Sequence, residues 1–175
     1  MRGNLDWKLF SEADHLVADP VRKAAAGLPA VEVAEIDPEL ADTAAFCEAY
    51  ESPLENSANC VIVAGKRGGE VKYAAVMVLA TMQADVNGVV RKEIDVRKVS
   101  FAPMADAVSL TGMEYGGITP VGLPPEWPIL VDTAVLAAGE VVIGSGLRSS
   151  KLLVPASALL QLPGARELAL ARTTG

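Results

Sequence analysis

A chain of 175 residues, half of them hydrophobic, is long enough to bury a core as one domain spanning 1–175. Fifteen Lys and Arg against 22 Asp and Glu leave a formal charge of −7, which argues against nonspecific binding to nucleic acid, DNA included, by bulk electrostatics while allowing a local basic rim. Charged residues or glycine interrupt every apolar run short of the roughly 20 residues that cross a bilayer, and residues 1–10 lack the apolar core of a signal peptide, so the expected partners include no membrane and the expected location is the cytoplasm.

The elements follow from Pro, Gly and apolar spacing. Residues 11–20 read as a helix entrance, and PVRKAAAGL at 20–28 predicts a short helix closed by Gly27. A strand is predicted over 31–36, then a cap at Asp37-Pro38 and a helix to about Tyr50 carrying Leu40, Ala44, Ala45 and Phe46 on one side. Two Val-rich runs, 60–64 and 71–80, flank Lys66-Arg67-Gly68-Gly69 and predict a β-hairpin. Asn87-Gly88 marks a turn, residues 94–101 a strand, and 104–110 a helix ended by Gly112. Residues 115–128 are too rich in Gly and Pro for a helix or central strand and predict a structured loop. Strands are predicted at 129–132, 141–143 and 152–154, with a second Gly/Ser loop at 144–150. A helix is predicted over 155–162, stopped by Pro163-Gly164, and a frayed tail over 172–175.

Cys47 and Cys60 form neither a disulfide framework nor a CxxC pair, and read as small buried hydrophobes. His15 is the single histidine, which excludes a His-rich zinc site and leaves little for a Ser-His-Asp triad. No metal and no cofactor are expected. Met77, Met82 and Phe101 read as core. Ser100, Thr119 and Ser145 are hydrogen-bond donors without a neighbouring base, so no serine nucleophile is expected.

Two loops in this order, GGITPVGLP at 116–124 and GSGLRSSKLLVP at 144–155 with the strand 129–132 between them, resemble the YbaK/prolyl-tRNA-synthetase-associated editing family over roughly 20–165. The resemblance implies an α+β fold: a mixed, partly barrel-like β-sheet with surrounding helices and a small pocket between the loops. It also implies hydrolysis of the ester of a mischarged tRNA carrying Ala, Cys, Ser or Pro, with the aminoacylated tRNA 3′ end as partner. A chain without room for a synthetase suggests the free-standing form. A non-catalytic module binding the aminoacyl-tRNA end or another small ligand, or a different small-molecule hydrolase or interaction protein on this scaffold, is the alternative.

Within that reading Gly116 and Gly117 supply backbone donors and close approach for the aminoacyl group, and Pro120 stiffens the loop. Thr119 and Gly122 complete it. Asp132 either orients the cationic substrate amine or caps the following turn. Gly144, Ser145, Gly146 and Arg148 are expected at the 3′ adenosine or its phosphate. The chain departs from the family twice. Asn59 stands where a pocket lysine is usual, so that either Lys98 on the neighbouring strand replaces it, or the substrate differs, or catalysis is lost, and Lys151 stands in place of an acidic residue.

Overall fold

The computed structural model of the protein describes residues 3–173. In chain order the first part holds strand β1 (Lys8–Leu9), helices α1 (Phe10–Ala13) and α2 (Asp19–Ala25), strand β2 (Glu32–Glu35) and helix α3 (Thr43–Tyr50). The middle holds β3 (Ala58–Arg67), β4 (Glu70–Leu79), β5 (Met82–Ala84), α4 (Arg91–Glu93), β6 (Lys98–Phe101) and α5 (Met104–Thr111). The last part holds β7 (Ile129–Asp132), α6 (Thr133–Ala137), β8 (Glu140–Gly144), β9 (Ser150–Pro155), a 3-10 helix Ala156–Gln161, β10 (Ala165–Leu168) and β11 (Ala171–Thr173).

The centre of the molecule is a five-stranded mixed sheet in the order β10-β7-β4-β3-β6. β4 runs antiparallel to β3 and parallel to β7, so it is flanked on both sides. Both of its faces are also covered: Ala75 and Met77 enter the main core, while Ala74 and Val76 enter a second cluster with Val90, Ile94, Val96 and Leu170. A strand buried on both faces needs a continuous apolar run rather than an alternating one, and residues 74–79 supply it. The β3–β4 hairpin pairs Arg67 with Glu70, leaving Gly68 and Gly69 as a two-residue turn with φ of 59° and 85°. Only a turn of that hand matches the strand twist, and it requires residues that tolerate positive φ.

A four-stranded sheet, β1-β2-β9-β8, lies against the first, and the two meet where Ser57 bridges to Val142. Main-core residues come from both sheets, including Val33, Ile62, Ile143 and Leu152, and Leu159 of the 3-10 helix joins them. The result is the expected mixed α+β architecture, with the rolled sheet open: no closed barrel forms among the described residues.

Three local readings change. The strand predicted over 94–101 is limited to β6, because Asp95 takes φ of 55° and Ile94 and Val96 turn into the second cluster. The helix predicted over 155–162 is a 3-10 helix. Arg172, read as part of a frayed tail, pairs with Gln83 in the β11–β5 ladder, while residues 174 and 175 lie outside the described residues.

Candidate functional site

The two glycine-rich loops are bonded to one another through their main chains. Gly146 N–H donates to Gly117 O at 2.7 Å and Glu114 N–H to Gly146 O at 2.9 Å, while within the first loop Gly117 N–H donates to Glu114 O at 2.9 Å. A β-carbon at Gly117 would lie 2.7 Å from the Leu147 carbonyl, and one at Gly144 would lie 2.5 Å from Gly117 O. Main chain cannot yield as a side chain tip can, so this loop-on-loop packing excludes any other residue at either position. Gly116, with φ of 91°, passes directly beneath the Arg148 guanidinium. Arg148 in turn donates to Pro38 O at 3.0 Å and Tyr115 O at 3.3 Å and stands 3.7 Å from Asp42. It ties both loops to the start of α3.

Beside these loops lies a cavity of about 340 Å³, walled by β3, β8, β9, the start of α3 and the loop at Gly116. Four chemical groups on its wall matter. Asn59, on β3, accepts a hydrogen bond from the Thr43 hydroxyl at 2.7 Å through Oδ1, which leaves its amide nitrogen as a donor. Asp42 contributes a carboxylate that is largely exposed. Cys60 contributes a thiol that burial pushes up to about 12, which removes it as a nucleophile near neutral pH.

Lys151, on β9, is the fourth and the most unusual. It is 7% exposed, donates from Nζ to Ala41 O at 2.9 Å, and sits 5.2 Å from the centre of the Phe46 ring. One of its three N–H groups is thus committed to Ala41. Burial lowers its pKa from 10.5 to about 8; Cys47 and Asp42 oppose that change and Arg148 adds to it. An ammonium held beside an ester carbonyl in such surroundings is a stronger electrostatic partner than one in water.

Of the residues singled out in the sequence, the cavity brings together Asn59, Gly116, Gly144 and Lys151. Arg148 stands at its rim. Gly117 lies behind the loop with its N–H occupied, and Thr119 and Pro120 are buried, the Thr119 hydroxyl having no partner among the described residues. Gly122 packs on the main chain of Pro20, and Gly146 on Ala18 and Val21. Ser145 is fully buried and its hydroxyl lies 2.7 Å from that of Ser150. Asp132 is placed as a cap: it accepts from Ala134 N–H at 3.1 Å and from Leu170 and Ala171 N–H at 3.0 Å each. Lys98 pairs opposite Lys66 near the far end of β3 and lines a separate cavity. Sequence reasoning missed Asp42, Thr43 and Tyr115, and it read Phe101 as core although that ring is 65% exposed at the cavity mouth. No spacing signal links residues 42 and 43 to Asn59; α3 carries them there. Among the described residues no group of three His, Cys, Asp or Glu side chains is placed to hold a metal ion.

The fold has solved counterparts. A candidate trans-editing enzyme for prolyl tRNA synthetase superposes with a TM-score of 0.74 at 21% identity, over 89% of this chain and 96% of that one. A scaffold protein used for grafting linear epitopes gives 0.75 at 21% identity, over 90% and 97%. The hypothetical protein APE2540 gives 0.67 at 22% identity, over 75% and 85%. Among curated proteins, none matches. The family model of the aminoacyl-tRNA editing domain matches residues 37–162, a span that contains both glycine loops and every polar group of the cavity. The chain belongs to the aminoacyl-tRNA editing domain family.

Proposed function

We propose that the protein is a trans-editing deacylase that hydrolyses the ester joining a small amino acid, such as Ala, Cys, Ser or Pro, to the 3′ end of a mischarged tRNA. Membership of the editing family supports the reaction class, and the likeness to a candidate trans-editing enzyme for prolyl tRNA synthetase supports the substrate class. The observation that carries the proposal is a cavity presenting an ammonium, an amide and a carboxylate from three separate elements: Lys151, Asn59 and Asp42. At about 340 Å³ it lies at the lower end of the roughly 300–1,000 Å³ usual for ligand sites, which favours a small side chain.

The roles follow from charge. Asp42 pairs with the cationic α-amine of the aminoacyl group. Lys151 and the Asn59 amide meet the ester carbonyl oxygen and stabilise the negative charge that grows on it. A water molecule, or the vicinal ribose hydroxyl, attacks the carbonyl carbon, and collapse of the tetrahedral intermediate expels the tRNA oxygen, which takes up the proton. When water attacks, the products are free amino acid and tRNA. When the hydroxyl attacks, the resulting ester is cleaved by water in the same way. The Gly116 loop shapes the floor on which the aminoacyl group rests. The reaction needs no metal or cofactor in this scheme, and no described helix is long and apolar enough to cross a membrane.

Release of amino acid from tRNAs charged with Ala, Ser, Cys or Pro tests the proposal, with wild type beside Asn59→Ala and Lys151→Met. Turnover by wild type that falls about 10²–10³-fold in Lys151→Met matches loss of one oxyanion donor. Tight binding of the charged tRNA end without release would instead favour a non-catalytic binding module, a reading that the neutral Asn59 in place of the family's usual lysine supports.

A further inference from the structure

Three cavities adjoin one another along the open edge of the central sheet. The candidate cavity shares Asn59 and Phe101 with a second one of about 680 Å³, which is also lined by Gln83, Asp85, Ser100 and Arg172. That second cavity shares Asn87, Val99 and Ser100 with a third, whose charged lining is Lys66, Arg91, Arg97 and Lys98, with no acid among them. The three follow β6, the edge strand of its sheet. From Asn59 to Lys66 is seven steps along β3, about 23 Å at a strand rise of about 3.3 Å.

The charge in the third cavity is unusual for a chain of formal charge −7. Lys66 and Lys98 stand directly opposite each other on paired strands, an arrangement that destabilises a sheet unless an anion lies between the ammonium groups. Among the described residues neither forms a salt bridge, nor do Arg91 and Arg97. The neighbouring Arg67 is by contrast neutralised by Asp95. The acid in the second cavity, Asp85, has its carboxylate engaged by Gly88 N–H at 3.1 Å. Between the cation cluster and the candidate cavity stands Phe101, 65% exposed, and Tyr115, 50% exposed, stands on the candidate cavity's wall. Exposed rings of this kind are stacking platforms for bases, and an unpaired cation cluster at the far end suits phosphates.

We infer that this edge is the track for the single-stranded RNA that carries the ester: the terminal nucleotide occupies the second cavity, stacked on Phe101, and the preceding phosphates lie on Lys66, Arg91, Arg97 and Lys98. The inference rests on the deacylase reading for the identity of the ester, and the RNA contact can be measured without any turnover. The track also assigns Lys98 a partner. It binds the phosphate backbone and does not stand in for a lysine at Asn59.

The test is binding of an uncharged, fluorescent eight-nucleotide RNA ending in CCA, followed by anisotropy across a salt series. Four phosphate contacts predict a slope of log K against log salt of about −2.8, since each contact to single-stranded nucleic acid contributes about 0.7. In Arg97→Gln/Lys98→Gln the slope falls to about −1.4, while Lys23→Gln, exposed on α2 and away from the track, leaves it unchanged. Phe101→Ala weakens binding about fivefold or more without changing the slope. Equal affinity and slope in wild type and the double variant would overturn the inference, even if the wild type releases amino acid from tRNA. Binding with the predicted slope in a protein that releases no amino acid would uphold the track and overturn the deacylase.

Discussion

Lys151→Met separates what this residue costs the fold from what it contributes to the cavity. The wild-type ammonium is 7% exposed, and burial lowers its pKa from 10.5 to about 8. That lowering corresponds to about 3 kcal/mol by which the folded state disfavours the charged form. Because the folded value lies below the unfolded one, the penalty is fully present below pH about 8 and is relieved as pH rises from there to 10.5. Methionine keeps an unbranched apolar stem in the same space but removes the hydrogen bond to Ala41 O, worth about 1 kcal/mol. It also removes the cation over the Phe46 ring, worth about 1 kcal/mol. The balance at pH 7 favours the variant by about 1 kcal/mol. Urea unfolding of both proteins at pH 7 and 9.5 measures it, and the gap between them should shift by about 2 kcal/mol toward wild type at the higher pH. A variant less stable than wild type by about 2 kcal/mol at pH 7, or a gap that does not move with pH, would refute the reasoning. A cation retained at a cost to stability in a cavity wall fits the oxyanion role proposed for Lys151.

Asp132→Ala leaves three N–H groups at the start of α6 and at 170–171 without their acceptor, and should destabilise the protein by about 3 kcal/mol, seen as a lower Tm. Arg148→Ala frees Pro38 O and Tyr115 O and loosens the Gly116 loop; a stability loss of about 1–2 kcal/mol and a raised KM for charged tRNA are expected. Cys60, with its thiol pushed up to about 12, is about one part in ten thousand thiolate at pH 8, so iodoacetamide should label it far more slowly in the native protein than in urea, as mass spectrometry would show.

Much of the architecture was legible from local chemistry. Gly68-Gly69 between two apolar runs specifies a tight hairpin, Gly112 at φ of 70° ends α5, and the apolar run at 71–80 announces a strand, which the structure then covers on both faces. Each of these depends on backbone angles or side-chain polarity within a few residues, which sequence carries directly. The density of glycine at 116–117 and 144–146 also marked two special loops, and the structure shows why, in the main-chain contacts between them.

Composition of the cavity was a different matter. The alternation of a strand says which residues share a face but not what that face meets, so Phe101 read as core and stands exposed, while Lys151 read as a departure from a motif and lies buried on the cavity wall. Asp132 caps Ala134 N–H two residues on, as the sequence allowed, while its bonds to Leu170 and Ala171 depend on the path of the chain back to it. Thr43 reaches Asn59, and Asp42 the same cavity, because α3 packs Phe46 and Cys47 against Val142 of β8 and Leu153 of β9. Lys98 lies away from the cavity because the register sets it against Lys66. The sequence by itself determined the β3–β4 hairpin, the strands at 129–132, 141–143 and 152–154, the glycine loops and the family resemblance, since these are local or ordered along the chain. The tertiary structure alone decided which polar groups converge, because convergence depends on contacts between residues far apart in sequence and on strand register.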